Sequence, residues 1–152
     1  MGIQKDINQS KFRSEYQKAV VNLIFTSNWL SEKLKNIFER DDITLQQYNI
    51  LRILRGAGAP LSTLQIRQRM LDKMSDTSRI VDRLLIKGLV KKKVSETDKR
   101  LVDVSITSKG ASLLKKMDVY EDEMDNILAG LNKEETKTLN ILLDKIREKK
   151  QR

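Results

Sequence analysis

The spacing of the apolar residues changes twice along this chain, and the segment between the two changes limits the folds that the sequence can adopt. Up to Gly88 the apolar residues recur every three or four positions, as they do on one face of a helix. Residues 89–94 and 101–106 alternate as strands do, and the polar stretch 95–100 suits the tip of a β-hairpin. From Thr107 the helical spacing returns. The sequence therefore predicts a mainly α protein with one small β-hairpin.

Three helices are predicted in the N-terminal part of the chain. A turn separates them from the elements that lead into the hairpin. Residues 11–39 contain neither Gly nor Pro and carry an apolar seam with alternating spacings of four and three, which indicates one long helix. Thr44 with Gln47, and Ser62 with Gln65, have the spacing of a capping box, which satisfies N–H groups at a helix start. A second helix is therefore expected after Thr44 and a short third helix after Ser62.

A turn and a fourth helix complete a recognisable order of elements. Residues 72–74 are expected to form the turn, Ser75 or Asp76 to cap the helix, and Gly88 to end it. A short helix, a turn, a capped helix and a hairpin follow the plan of a winged helix-turn-helix.

The C-terminal part is predicted to contain two more helices. The first is expected to be long, with Thr107 or Ser108 as its cap and an apolar seam that runs to Leu131. Asn132 with Glu135 forms a third capping box and opens the last helix. The basic tail 149–152 is expected to fray.

The composition excludes several kinds of chemistry. The chain has no Cys and no His, so thiol catalysis, disulfides and imidazole bases are excluded and transition-metal sites lose their usual ligands. We expect no catalytic residue, no metal and no cofactor. No stretch approaches the ~20 apolar residues of a membrane span and no secretion signal is recognisable, so a cytoplasmic location away from membranes is expected.

The excess positive charge lies in the middle of the chain. Lys and Arg number 30 against 21 Asp and Glu, a formal net charge of +9. Residues 41–110 hold 14 of the basic and 8 of the acidic side chains, whereas residues 111–152 hold 9 of each. A polyanionic partner for the middle segment is therefore favoured.

The fourth helix presents one apolar and one polar face. The residues expected to anchor it are Thr77, Ile80, Val81 and Leu84. The opposite face carries Ser75, Arg79, Asp82 and Arg83. A guanidinium group on that face pairs with guanine or with phosphate, and we expect Asp82 to orient one of the two Arg side chains. The competing interpretation is an amphipathic helix whose charges are only solvated.

The hairpin adds a cluster of basic residues. These are Lys91, Lys92 and Lys93 on the first strand and Lys99 and Arg100 after the tip. Such side chains neutralise phosphates without sequence preference, and an Arg at the tip suits a narrow minor groove. The alternative is a hairpin kept from aggregating by its Lys residues.

Four segments at fitting spacings resemble the multiple antibiotic resistance regulator (MarR) family. They are Val81-Asp82-Arg83-Leu84, Gly88-Leu89-Val90, Asp98-Lys99-Arg100 and Thr107-Ser108-Lys109-Gly110. The resemblance extends over nearly the whole chain. It implies a dimer whose first, fifth and sixth helices interlock, a recognition helix over 75–83, and a wing in which Arg100 lies near the minor groove. Arg67 and Leu71 depart from the family pattern, which commonly has Ala and Gly there.

These observations predict a set of residues that contact double-stranded DNA. The set is Ser62, Thr63, Lys73, Ser75, Asp76, Thr77, Ser78, Arg79, Arg83, Lys92, Asp98, Lys99 and Arg100. The expected protein is a sequence-specific transcriptional regulator, a repressor on a palindromic operator. Two alternatives remain, a basic helical adaptor for an acidic protein without DNA specificity, and an enzyme that uses carboxylates alone in the acidic segment 121–125.

The terminal helices are expected to form a homodimer. Their apolar stripes exceed what the small lobe covers, although one intramolecular bundle is the alternative. We expect one domain over 1–152, with dimerisation helices in 1–40 and 108–152 and the DNA-binding lobe in 41–107. The candidate dimer residues are Phe12, Tyr16, Leu131, Leu139, Leu142 and Ile146.

A small aromatic or anionic effector is a further expectation, because the family resemblance implies a ligand crevice beside the dimerisation helices. Because the chain has no Cys and no His, peroxide sensing through Cys is excluded and zinc sensing is disfavoured, so a small molecule remains as the expected signal. Candidate ligand residues are Phe25, Trp29, Tyr48 and Arg52, for which core packing is the alternative role.

Overall fold

The computed structural model describes residues 2–148. The chain divides into two compact units between Val119 and Tyr120. The architecture is mainly helical with a small antiparallel sheet, so the predicted fold class is confirmed. None of the helices in the described part is long and apolar enough to cross a membrane.

The first unit contains six helices and three strands among its described residues. In chain order they are α1 (Ile3–Asp6), α2 (Glu15–Phe38), α3 (Leu45–Ala57), β1 (Leu61–Ser62), α4 (Thr63–Arg69), α5 (Thr77–Ile86), β2 (Val90–Val94), β3 (Val102–Ile106) and α6 (Ser108–Met117). A 3-10 turn, Glu39–Asp41, follows α2, and a second one, Asp118–Tyr120, follows α6.

The predicted caps are confirmed. The side chains of Thr44 and Ser62 accept hydrogen bonds from the Gln47 and Gln65 N–H groups at 3.1 and 3.2 Å. Each Gln side chain in turn accepts from the backbone N–H group of its Thr or Ser partner. The long first helix is shorter than predicted. It begins at Glu15 instead of residue 11, because the side chain of Ser14 caps it.

The sheet has one strand more than the sequence predicted. Its order is β1-β3-β2, with Leu61 paired to Val104 and Val90 paired to Ile106. The two residues of β1 are too few to show an alternating pattern, and they lie at the start of a capping box. The pairing nevertheless ties the start of α4 to the hairpin.

The core of this unit lies where α3 meets α5, α6 and the sheet. Its completely buried side chains include Ile50, Leu51, Ile66, Val81, Leu84, Val104, Leu114 and Met117. Gly88 has a φ of +73° and turns the chain from α5 into β2, as predicted for a glycine after a helix. Because α5 and both hairpin strands share this core, the elements that carry the basic residues have a defined arrangement.

The second unit contains α7 (Glu121–Asn126) and α8 (Lys133–Arg147). The third capping box is confirmed, with the Asn132 side chain accepting from the Glu135 N–H group at 2.8 Å. The predicted continuous helix up to Leu131 is wrong, because the 3-10 turn interrupts it. Asp118, in that turn, accepts from the Arg55 guanidinium of α3 at 3.0 Å, a long-range contact that periodicity does not reveal. The tail 149–152 lies outside the described residues.

Candidate nucleic-acid interface

Helix α5 is fixed at its start and along one face. The Asp76 carboxylate caps it by accepting from the Arg79 N–H group at 3.2 Å. Thr77, Val81 and Leu84 are buried, so the opposite face is directed towards solvent. A capped helix with one buried face is a rigid platform for the side chains on its other face.

The exposed face of α5 carries two free guanidinium groups. Arg79 and Arg83 are exposed, and neither guanidinium group makes a hydrogen bond or an ion pair within residues 2–148. A guanidinium group presents several N–H donors in a planar fork, which matches the O6 and N7 acceptors of guanine. These two side chains can therefore bind an external acceptor without breaking a hydrogen bond or an ion pair within residues 2–148.

Asp82 has a different role from the one expected. Its carboxylate forms an ion pair with the ammonium group of Lys92 on β2, and it contacts neither Arg79 nor Arg83 through a hydrogen bond. The prediction that Asp82 orients an Arg side chain is therefore wrong. The reason is the adjacent strand, which brings Lys92 beside the helix. The pair joins the exposed side of α5 to the wing and neutralises one of the wing's cations.

The tip of the hairpin is ordered by two residues. The buried Ser95 hydroxyl accepts from the N–H groups of Thr97 and Asp98 at 3.3 Å. Arg100 Nε and Nη2 donate to the Asp98 carboxylate at 3.1 and 3.0 Å. The Arg100 hydrogen bonds lower the pKa of Asp98, and the Asp98 hydrogen bond raises the pKa of Arg100. Both groups therefore stay charged, and the Arg100 guanidinium is held at the exposed end of the wing.

Comparison with known proteins places this arrangement in a family. A model of the MarR family matches residues 41–101. The multiple antibiotic resistance protein MarR of Salmonella typhimurium is 29% identical over 131 residues, which cover 82% of this chain and 88% of that protein. A crystal structure of a MarR transcription factor from Planctomyces limnophilus is 30% identical, with a TM-score of 0.66, and the match covers 88% of this chain and 98% of that one. The chain belongs to the MarR family.

The structure of a MarR mutant from Escherichia coli in complex with operator DNA shares the fold. Its TM-score is 0.82 at 24% identity, with 91% of this chain and all of that chain covered. Because the family and these relatives are transcription regulators, the protein is a MarR-family transcription regulator and not an enzyme, as expected.

Two of the predicted DNA contacts hold this MarR-family lobe together instead. Thr77 is only 4% exposed and packs under α5, so it is not offered to DNA. Ser62 is 8% exposed, and its hydroxyl serves as the cap of α4. These two assignments are corrected, because sequence spacing did not distinguish a residue beside the reading face from one on it. Lys73 is exposed and stays a predicted contact, with its ammonium donating to the carbonyl groups of Arg67 and Gln68 at the end of α4.

Arg67 is a basic residue outside the predicted set of DNA contacts. It lines a cleft of about 500 Å³ between α4 and the start of α5, together with Thr63, Ser75, Asp76 and Ser78. Its side chain is exposed next to predicted contact residues, and the signal that identifies it is the charge it adds to the short helix.

The predicted effector residues are dispersed. Tyr48 is 6% exposed and stacks on Phe38 with ring centroids 4.4 Å apart, so it belongs to the core and that assignment is corrected. Arg52 is exposed, with its guanidinium 5.9 Å from the Tyr48 ring. Phe25 and Trp29 remain partly exposed along α2.

The predicted dimer residues are largely accessible in the single chain. Tyr16, Leu142 and Ile146 are exposed, and the remaining ones, Phe12, Leu131 and Leu139, are of intermediate burial. Each unit by itself therefore offers apolar side chains to a partner.

The Asp82–Lys92 pair predicts an unusual response to a charge change. Asp82→Asn is expected to strengthen binding to any duplex and to steepen its salt dependence by about one unit per subunit, because the freed Lys92 neutralises an additional phosphate. Competition titrations at several salt concentrations measure both effects. Asp103→Asn is the matched control, since it removes one carboxylate from the sheet without releasing Lys92. An equal change in the control, or weaker binding by Asp82→Asn, would contradict the prediction.

Proposed function

We propose that the protein is a homodimeric transcriptional repressor that binds an inverted-repeat operator. The observation that carries this proposal is that two guanidinium groups, Arg79 and Arg83, lie on the exposed face of the capped helix α5 and have no partner among the described residues. In the major groove such groups read guanine, and Ser75, Asp76 and Ser78 at the start of the helix lie where base edges are contacted. The shared fold with an operator-bound MarR supports this role.

The hairpin contributes affinity to the same complex. Lys99 and Arg100 lie on it, whereas Lys92 is neutralised by Asp82, and Thr63 begins the short helix that crosses the backbone in helix-turn-helix proteins. Each phosphate that a cation neutralises releases counterions, so these contacts strengthen binding to any duplex. We assign Arg100, held by Asp98, to the minor groove beside the site that α5 reads.

A second copy of the chain is proposed to cover the apolar stripe of α2. This helix has 24 residues, of which only Ile37 and Phe38 are buried. Its exposed apolar side chains are Tyr16, Val20, Leu23, Ile24, Phe25 and Trp29. A stripe of this length on a lone chain marks a protein contact surface. In the resulting dimer, residues 1–40 and 108–152 supply the contacts and residues 41–107 the DNA-binding lobe.

Helix α8 supports the same proposal independently. None of its described residues is buried, and it exposes Ile141, Leu142 and Ile146. A dimer that buries these side chains carries two copies of α5, and twofold symmetry then matches them to two half-sites about one helical turn apart. Occupancy of about two turns of duplex blocks a promoter that overlaps the operator, and this is the basis for repression.

We propose a cleft in the first unit as the effector site. It has a volume of about 320 Å³ and is lined by Ser27 and Ser31 of α2, Asn49 of α3 and the turn after α4. Asn49 Oδ1 accepts from the Leu71 N–H group at 3.0 Å, so this bond holds the turn that precedes α5. The charged residue of this lining is Asp72, so the cleft suits a small aromatic molecule without negative charge, which competes for that bond and displaces the turn and so releases the operator.

Selection of bound duplexes from a random pool tests the DNA-binding proposal. The expected result is an inverted repeat with half-sites about 10 bp apart, bound by a dimer. The oligomeric state is measured in parallel by sedimentation at micromolar concentration. A monomer on a single asymmetric site would contradict the architecture. Enrichment of no sequence would favour the basic adaptor for an acidic protein.

A further inference from the structure

Lys87 lies directly after α5, at the opposite end of the helix from its Asp76 cap. Its ammonium group donates to the backbone carbonyl of Asp42 and, at 3.2 Å, to Gln47 Oε1. The Asp42 carboxylate lies 3.7 Å from the same ammonium group. One side chain at the end of the reading helix therefore has three oxygen partners on two other residues.

These partners form the corner between α2 and α3. Asp42 has a φ of +53° and ends the 3-10 turn that follows α2. Gln47 is 4% exposed and belongs to the capping box that starts α3. A buried polar group and a left-handed residue are local structures with little freedom to move. Lys87 is thus anchored to the corner between α2 and α3.

The end of α5 is held from a second side. Lys109 Nζ donates to the Lys87 carbonyl at 2.8 Å, and the Thr107 hydroxyl donates to the Gly88 carbonyl at 2.7 Å. Lys116 of α6 forms an ion pair of 2.8 Å with Asp41, next to Asp42. The end of α5, the start of α6 and the corner after α2 are therefore linked by polar contacts.

We propose that Lys87 is a positioning residue that fixes α5 relative to α2 and thereby sets the separation of the two half-sites. The inference rests on the proposed function, in which α2 lies in the dimer interface. A helix of ten residues is about 15 Å long, so a small rotation at the Lys87 end displaces the side chains at the other end along the groove. Lys87 acts through this displacement and not through contact with DNA.

The test compares Lys87→Met with Lys115→Met on operators whose half-sites are one base pair closer, native or one base pair further apart. Lys115 is an exposed residue of α6 without an ion pair among the described residues, so the control removes the same charge. Gln47 Oε1 keeps the Thr44 N–H donor at 3.2 Å in the Met variant, and the fold is checked by thermal unfolding.

When the half-site spacing changes, the affinity of the parent and of Lys115→Met is expected to fall roughly tenfold. The affinity of Lys87→Met is expected to fall only about threefold. A difference of this size between variants is typical of a residue in a coupling network. Lys87→Arg, which keeps the charge and the donors, should restore the parent's preference. The salt slope of Lys87→Met should equal that of Lys115→Met.

Two results would overturn the inference. An equal loss at all spacings would show that Lys87 only stabilises the fold, and a salt slope reduced relative to the control would show that it contacts phosphate. A parent without any spacing preference would instead contradict the inverted-repeat dimer itself, and the positioning role with it.

Discussion

Replacement of both Arg79 and Arg83 by Ala is expected to remove most of the discrimination between operator and scrambled DNA. A bidentate contact to guanine contributes roughly 1 to 3 kcal/mol, and a dimer makes each of the two contacts twice, so the specificity ratio should fall by about a thousandfold or more. Neither guanidinium has a partner within residues 2–148, so the free energy of unfolding should change by less than about 0.5 kcal/mol.

Competition binding of operator and scrambled duplexes, at several salt concentrations, measures this ratio. Arg100→Ala is the contrasting variant, since the loss of its charge from the minor groove should weaken binding to both duplexes and lower the salt slope by about one unit per subunit, with any lost selectivity confined to A·T-rich flanks. Each single Arg variant of α5 should relax the preference at a different base pair. If the double variant binds both duplexes as the parent does, α5 does not read the operator.

The sequence predicted those features of the fold that depend on residues close together in the chain. Each capping box needs only a side chain and its neighbour three positions later, so Thr44, Ser62 and Asn132 were identified correctly. The Arg55–Asp118 ion pair and the pairing of Leu61 with β3 join residues that are distant in sequence. Local patterns contain no information on such contacts.

The same distinction applies to the candidate site. A helical wheel correctly separated Arg79 and Arg83 from the buried face of α5, because the wheel depends only on helix periodicity. It did not identify Lys92 as the partner of Asp82, since this pair requires the approach of β2 to the helix. Lys87 was missed for the same reason, as its partners lie at Asp42 and Gln47.

Gly110→Ala is expected to destabilise the protein by about 3 kcal/mol or more, which places it at the upper end of overpacking effects. A Cβ atom on Gly110 would lie 2.3 Å from the Leu89 carbonyl oxygen and 2.8 Å from Ile106 Cγ1. The Leu89 carbonyl cannot move away easily, because it accepts from the Thr107 N–H group at 3.1 Å at the start of β2. The close contact thus explains the Gly in the Thr107-Ser108-Lys109-Gly110 segment.

Gly56→Ala provides the matched control, because it makes the same change in α3 with no atom within 4 Å of the new Cβ. The helix preference of Ala over Gly should make that variant more stable by up to about 1 kcal/mol. The same preference acts in α6. The difference in stability between Gly110→Ala and Gly56→Ala therefore measures the steric cost. Thermal unfolding should show a midpoint about 10 °C lower for Gly110→Ala. Since Leu89 directly precedes β2 and Gly110 lies in the first turn of α6, an unchanged midpoint would mean that the hairpin and α6 are not packed as closely as this structure shows.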